Sequence, residues 1–149
     1  MPVGIQAFAM VNQTINAMSA LQQRMDRAAE IGSRNAALVI ERAIKEKLSE
    51  QGRHRPGTPT PSAPGDPPSI ISGALRASVR SAKPERKGFG AYEVLVGPTM
   101  VYARVQELGG GRNNLPARPY VAPAFDASVN QAYAAYTEAF KRAMRGMVM

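Results

Sequence analysis

A chain of 149 residues, 44% of them apolar, is one domain's worth and can bury a modest core. It has no cysteine, which excludes disulfides and thiolate metal sites; with no apolar run near ~18 residues and no basic N-terminal region, we expect a soluble protein without membrane span or signal peptide. The net charge of +8 is uneven: residues 1–51 hold six basic and five acidic side chains, 52–90 seven and two, and 91–149 six and four, so the excess sits in the middle, where it suits a polyanion or a plain solvated surface.

Residues 1–52 read as one long N-terminal helix. Apolar residues recur in steps of three and four from Phe8 through Val11, Ile15, Met18, Leu21 and Met25 to Val39, Ile44 and Leu48, without an interrupting proline. At 1.5 Å per residue such a helix spans ~65–70 Å, more than a compact domain of this size. It must therefore break near Gly32 or pack in part on another subunit. Met10, Met18 and Met25 read as packing residues rather than a cofactor box.

Residues 53–68 form a Pro-rich arm, with six of the chain's twelve prolines. It is expected to be extended and anchored only in an assembly. The one histidine, His54, lies there between Arg53 and Arg55 with no partner at metal-ligand spacing.

Residues 69–149 read as an α+β core. Ser72 caps a short helical turn with Leu75 and Val79 facing inward, and Val79 to Ala82 continues as strand. Lys83 to Gly90 reads as a charged turn. Ala91 to Gly97 is the clearest strand, with Tyr92, Val94 and Val96 on one face and Glu93 and Leu95 on the other; the two runs form a hairpin. Val101 to Leu108 returns to helical spacing, with Val101, Tyr102, Val105 and Leu108 on its apolar side. Gly109 to Gly111 permits a sharp exit at positive φ. Pro116, Pro119 and Pro123 stiffen the loop before a C-terminal helix, which starts at about Pro123 and whose apolar stripe runs Phe125, Val129, Ala132, Tyr133, Tyr136, Phe140 and Met144.

Catalytic chemistry finds little to work with. The acids form no local pair, the serines lack a GxSxG setting, and a lone loop histidine makes a Ser-His-Asp triad improbable. The triple glycine lacks the GK[ST] ending of a phosphate loop. We expect no enzyme, no cofactor and no metal. Glu107 reads either as a cap for loop amides beside Gly109 or as the partner of Arg112 or Arg118, and Tyr102 as a residue packed at the sheet–helix seam.

Three short motifs stand in a characteristic order: S-G-A-L-R-A-S at Ser72–Ser78, V-Y-A-x-x-x-E-x-G at Val101–Gly109, and R-P-Y-V-A-P-A-F at Arg118–Phe125. With the strand ending at Val96-Gly97 between them, the chain resembles the gene-ten-like tail-completion, or head–tail joining, proteins of long-tailed phages. It departs from their usual pattern where Glu107 is followed by Leu-Gly-Gly-Gly rather than Gly-Thr, and where Tyr120 stands for the commoner Phe. The resemblance implies a long N-terminal helix, a small antiparallel sheet and a C-terminal helix in a ring-forming subunit of the virion neck. Such a ring, with a hexamer favoured over a dodecamer, sits between the head-side connector or stopper and the tail terminator or tail tube. It continues the channel for genomic DNA, has no membrane partner and is assembled in the host cytoplasm. On that reading Arg53, Arg55, Arg112, Arg118 and Tyr120 are interface residues, with Tyr120 as anchor unless it belongs to the core. Arg80, Lys83, Arg86 and Lys87 are candidates for lining the channel. The competing reading is a free-standing nucleic-acid-binding protein without sequence preference, using the basic Arg53–Lys87 region.

Overall fold

In the computed structural model, residues 3–51, 62–112 and 114–146 are described. The fold is α+β, and its spine is helix α1, Val3–Lys47, which runs 45 residues without a break and spans about 67 Å. Gly32 does not break it. A Cβ at Gly32 would lie 2.8 Å from the ring of Tyr136 and 3.1 Å from its carbonyl oxygen. The missing side chain lets a second helix lie close, the other use of glycine in a helix.

That second helix is α4, Val121–Gly146. Ala124 packs with Ile44 and Leu48 at one end, and Tyr136 meets Gly32 further along, so the two helices run antiparallel. The buried side of α4 begins with Ala124, Ser128 and Ala132, and α1 buries Ala28, Ala29 and Ala37 along its own length. Of the expected stripe, Ala132 is buried and Tyr136, Phe140 and Met144 are half-buried as expected, but Phe125, Val129 and Tyr133 are exposed, and Ala124 and Ser128 take the inner positions. Small residues win the interface because close helix approach gains contact along the whole backbone. The Tyr136 and Phe140 rings stack at 6.0 Å between centroids.

Between the helices lie a short helix α2, Ala74–Ser78, and four short strands: β1, Val79–Ser81; β2, Glu85–Gly88; β3, Ala91–Glu93; and β4, Val96–Pro98. β1 pairs antiparallel with β4, placing Val79 opposite Pro98, and the hairpin β2–β3 is inserted between them. The run Ala91–Gly97, expected as one strand, is split: only its end, in β4, pairs with β1 as expected, while its start is β3 and pairs with β2, a strand in the stretch expected to be a charged turn. The expected alternation along residues 91–96 is present, with Tyr92, Val94 and Val96 half-buried and Glu93 and Leu95 exposed. Ser72 Oγ accepts from the Ala74 amide at 3.2 Å, but the N-cap position of α2 is Gly73, which has no side chain to cap with, so the expected cap lies one residue outside the helix boundary. The core gathers Ile44, Leu48, Val79, Tyr120 and Ala124, with Leu75 and Val96 against it.

Two carboxylates of α1 hold the strands. Asp26 accepts hydrogen bonds from the Gly90 amide at 2.9 Å, the Tyr92 hydroxyl at 3.0 Å and Arg86 Nε, which pins the β2–β3 hairpin. Glu41 accepts from the Ser81 amide at 2.8 Å and the Ser81 hydroxyl at 2.7 Å, pinning β1, and pairs with Lys45. A two-stranded sheet is marginal alone, so these latches and the face of α1 hold both pairs in place.

Candidate functional site

Helix α3, Ala103–Leu108, and the loop after it carry two of the three motifs. Ala103 faces inward, and of the apolar side expected there Val101, at 98% exposed, and Leu108 are turned outward while Val105 is half-buried. Tyr102 is half-exposed at the start of α3 rather than packed in a seam. It lines a cavity of about 350 Å³ together with Leu48, Ile70, Leu75 and Arg118.

Glu107 is the hub of the segment. One carboxylate oxygen accepts from the amides of Tyr120 at 2.7 Å and Val121 at 2.9 Å, and the other from Ala122 at 3.0 Å. Helix α4 has no acidic residue in its own first turn, and Pro123 has no amide to satisfy. The anion that its N-terminus needs comes instead from α3, thirteen residues upstream. The amides capped are those of α4, not those beside the glycines, and the interaction with Arg112 or Arg118 is not made.

Gly109, Gly110 and Gly111 all have positive φ, as expected of the sharp exit. The constraint is tightest at Gly109, where a Cβ would meet Leu115 O and Ala117 N at 2.8 Å. The exit is a small closed loop: Gly110 and Leu115 exchange backbone hydrogen bonds, and the Arg118 amide donates to Gln106 O at 2.8 Å.

This geometry corrects two interface assignments. Tyr120 is fully buried and belongs to the core, its hydroxyl 3.4 Å from Ala103 O. Burial, with the Glu107 charge and Tyr102 nearby, pushes its phenol up to about 12. Arg118 is 9% exposed, and its Nε donates to the carbonyl of Ser62 at 3.0 Å. The Gly65 amide donates to Ala117 O at 2.9 Å, so the far end of the Pro-rich arm is anchored within the subunit. The expectation that only an assembly anchors it is overturned for residues 62–66. Arg112 is exposed, in keeping with a contact role. Arg53 and Arg55 lie outside the described residues.

The basic candidates divide. Arg80 and Lys83 are exposed. Arg86 is bound to Asp26, and Lys87 lies 3.0 Å from both Glu85 and Glu93, which raise the pKa of its ammonium. Asp26 is held below the usual carboxylate range by the Gly90 amide first, then by Tyr92 and Arg86, against the opposing effect of burial. Glu41 is lowered too: burial opposes, but Lys45 and the two Ser81 donors together outweigh it. Sequence reasoning missed both acids. Their partners lie 40 to 66 residues away, and no local pattern marks a helix-surface carboxylate as a long-range latch.

A second concavity, a groove of about 650 Å³, opens beside the motif segment. Ile40, Ile44, Val96 and Tyr120 form its floor, and Leu95, Leu108 and Phe125 stand exposed along its walls. Among the described residues no cluster of three or more His, Asp or Glu could hold a metal, and no helix is long and apolar enough to cross a membrane. No family model matches the chain, and no curated protein or solved structure is detectably similar to it.

Proposed function

We propose that the chain is a structural subunit of a phage neck: one copy in a ring that joins the head-side connector or stopper to the tail terminator or tail tube and continues the DNA channel. The observation that carries this reading is the way the motifs interlock. Glu107 of V-Y-A-x-x-x-E-x-G caps the helix opened by R-P-Y-V-A-P-A-F. The elements follow the order the resemblance implies: long helix, small antiparallel strands, C-terminal helix. The large exposed apolar surfaces add support, because a ring subunit needs faces for two neighbours and for the layers above and below. No catalytic residue, cofactor or metal takes part.

Negative-stain images of the purified protein test the reading. Rings of uniform diameter with an open centre are expected, together with restored joining of filled heads to tails when the protein complements a phage lacking it. A strictly monomeric protein that leaves heads and tails separate overturns the proposal. Free-standing nucleic-acid binding is disfavoured by the ion pairs that engage Arg86 and Lys87. Among the described residues of that region Arg76, Arg80 and Lys83 are exposed outside these ion pairs; counted with Arg53 and Arg55 of the sequence, they limit the salt slope of duplex binding to at most about five phosphates. A slope corresponding to six or more would favour the free-standing binder.

A further inference from the structure

The first 23 residues contain no Asp, Glu, Lys, Arg or His; the first charge in the chain is Arg24. Residues 9–23 are helical and exposed on every side. A surface helix normally sets a charged face against an apolar one, and this segment has no charged face. Its apolar stripe of Val11, Ile15, Met18 and Met25 runs on into Ala29 and Gly32, where α4 covers it. Helix α4 ends at Gly146; counted from the Tyr136–Gly32 contact, that end lies about level with residue 22 of α1. Beyond it the same stripe is bare: Met10, Val11, Ile15, Met18 and Leu21 are between 48% and 69% exposed. These five residues expose on the order of 500 Å², against the roughly 800 Å² per partner of a standard interface.

The groove beside Tyr120 is the other half. It lies at Ile40 and Ile44, about 35–40 Å along the helix axis from the centre of the bare stripe. Because α1 is continuous, a subunit cannot fold its own stripe into its own groove. The groove's rim holds charges of both signs, Arg104 and Asp126, beside its exposed Leu95, Leu108 and Phe125. An uncharged helix with Asn, Gln, Ser and Thr around its stripe meets such a rim without opposing a like charge and can hydrogen-bond to it.

We propose that residues 9–23 of α1 dock, stripe inward, into the groove between β4, α3 and α4 of a second copy of this chain. The contact is heterologous: each copy gives a helix at one end and receives one at the other. Such contacts propagate, and they make a ring when the rotation closes. The proposal deepens the ring reading and rests on it.

The absence of cysteine makes the test direct. Met18→Cys and Leu95→Cys alter two exposed positions, one on the stripe and one on the groove wall, so both variants should fold, which far-UV circular dichroism checks. Mixed in equal amounts under mild oxidant, they should form a disulfide-linked heterodimer at least tenfold faster than either forms a homodimer alone. The double variant should give a ladder of covalent multimers. Met18→Asp should keep the helical signal but shift the native protein to monomer in light scattering. Faster self-linking of Met18→Cys overturns the docking mode, since the stripes then pair with each other. So does a mixture that fails to cross-link. If rings still form in either case, the neck reading stands without this contact; if no oligomer forms at all, both fall.

Discussion

Replacing Glu107 by Ala removes the only carboxylate at the N-terminus of α4 among the described residues, and its cost follows from the three amides it holds. The Tyr120 and Val121 amides are partly buried, at 2.7 and 2.9 Å, and water reaches them poorly. Leaving each unsatisfied costs about 1 kcal/mol, the lower end for a buried donor. The Ala122 amide is exposed and finds water at almost no cost. Loss of the anion from the positive end of the helix dipole adds about 0.5 kcal/mol. The expected destabilisation is therefore about 2–3 kcal/mol, or a fall in Tm of roughly 5–10 °C for a chain of this length. Glu107→Gln separates charge from hydrogen bonding. Its carbonyl can still face Tyr120 and Val121, where both bonds share one oxygen, while its amide group loses only the exposed Ala122 contact. That variant should cost about 1 kcal/mol. Urea unfolding followed by far-UV circular dichroism measures both variants. A Glu107→Ala protein within 0.5 kcal/mol of the parent, about the spread of an ordinary surface substitution, would refute the capping role.

Gly32→Ala should destabilise by about 1–3 kcal/mol, because the new methyl meets the Tyr136 ring and carbonyl; helix propensity alone predicts a gain of about 1 kcal/mol, so a more stable variant rejects the close-approach account. Tyr120→Ala should cost about 3–5 kcal/mol in thermal or urea unfolding, against about 1 kcal/mol for Tyr120→Phe, and equal effects would place the ring outside the core. The raised Tyr120 phenol keeps its proton in the fold, so its contribution is full below the ordinary value of 10.0 and is lost as pH rises to about 12; this amounts to at most about 3 kcal/mol and should be absent from Tyr120→Phe. Asp26 runs the other way: its lowered value contributes stability above the ordinary carboxylate range and loses it as pH falls through the depressed value. Asp26→Asn should thus lower Tm at neutral pH by an amount that shrinks toward zero in acid, and a gap that does not change with pH would rule out the ionised latch.

What could be read from the sequence was what local pattern encodes. The 3.6-residue period gave both long helices, the alternation of Tyr92, Val94 and Val96 gave the strand face, and three successive glycines gave the left-handed exit. The failures share a cause. Hydropathy placed Phe125, Val129, Ala132 and Tyr133 on the inner face of α4, but the interface is chosen by size: of these four only Ala132 is buried, and the small Ala124 and Ser128 join it where the helices approach. An isolated aromatic in a Pro-rich loop has no period to reveal its direction, so Tyr120 looked like an anchor for a partner when it fills the core of its own subunit. Arg118 misled in the same way, because its acceptor is a backbone carbonyl 56 residues upstream. For the long α1 the sequence offered a break at Gly32 or a partner. The structure removes the break, and with it the route by which a single copy could cover the stripe at Val11, Ile15 and Met18.

The division of labour along α1 follows from where its polar and apolar residues fall. From Arg24 onward the helix belongs to its own subunit: α4 covers one face, and Asp26 and Glu41, fifteen residues and about 22 Å apart, hold the two strand pairs. Each latch joins a short, weak sheet to a rigid rod, so the groove walls formed by β4, α3 and the start of α4 share one rigid frame. Glu107 completes that frame by tying α3 to α4 at the groove's edge. Before Arg24 the same helix carries no charged side chain, and its residues 9–23 are exposed on every side. A rigid acceptor and a rigid donor on one continuous rod lose little conformational entropy on docking, because neither has to be ordered when they meet. In the ring we propose, the length of α1 sets the distance from each donor stripe to its own groove, and so would set the spacing between successive copies. Flexibility between stripe and groove would leave that spacing, and hence the closure of such a ring, undefined; an unbroken helix through Gly32 would fix it.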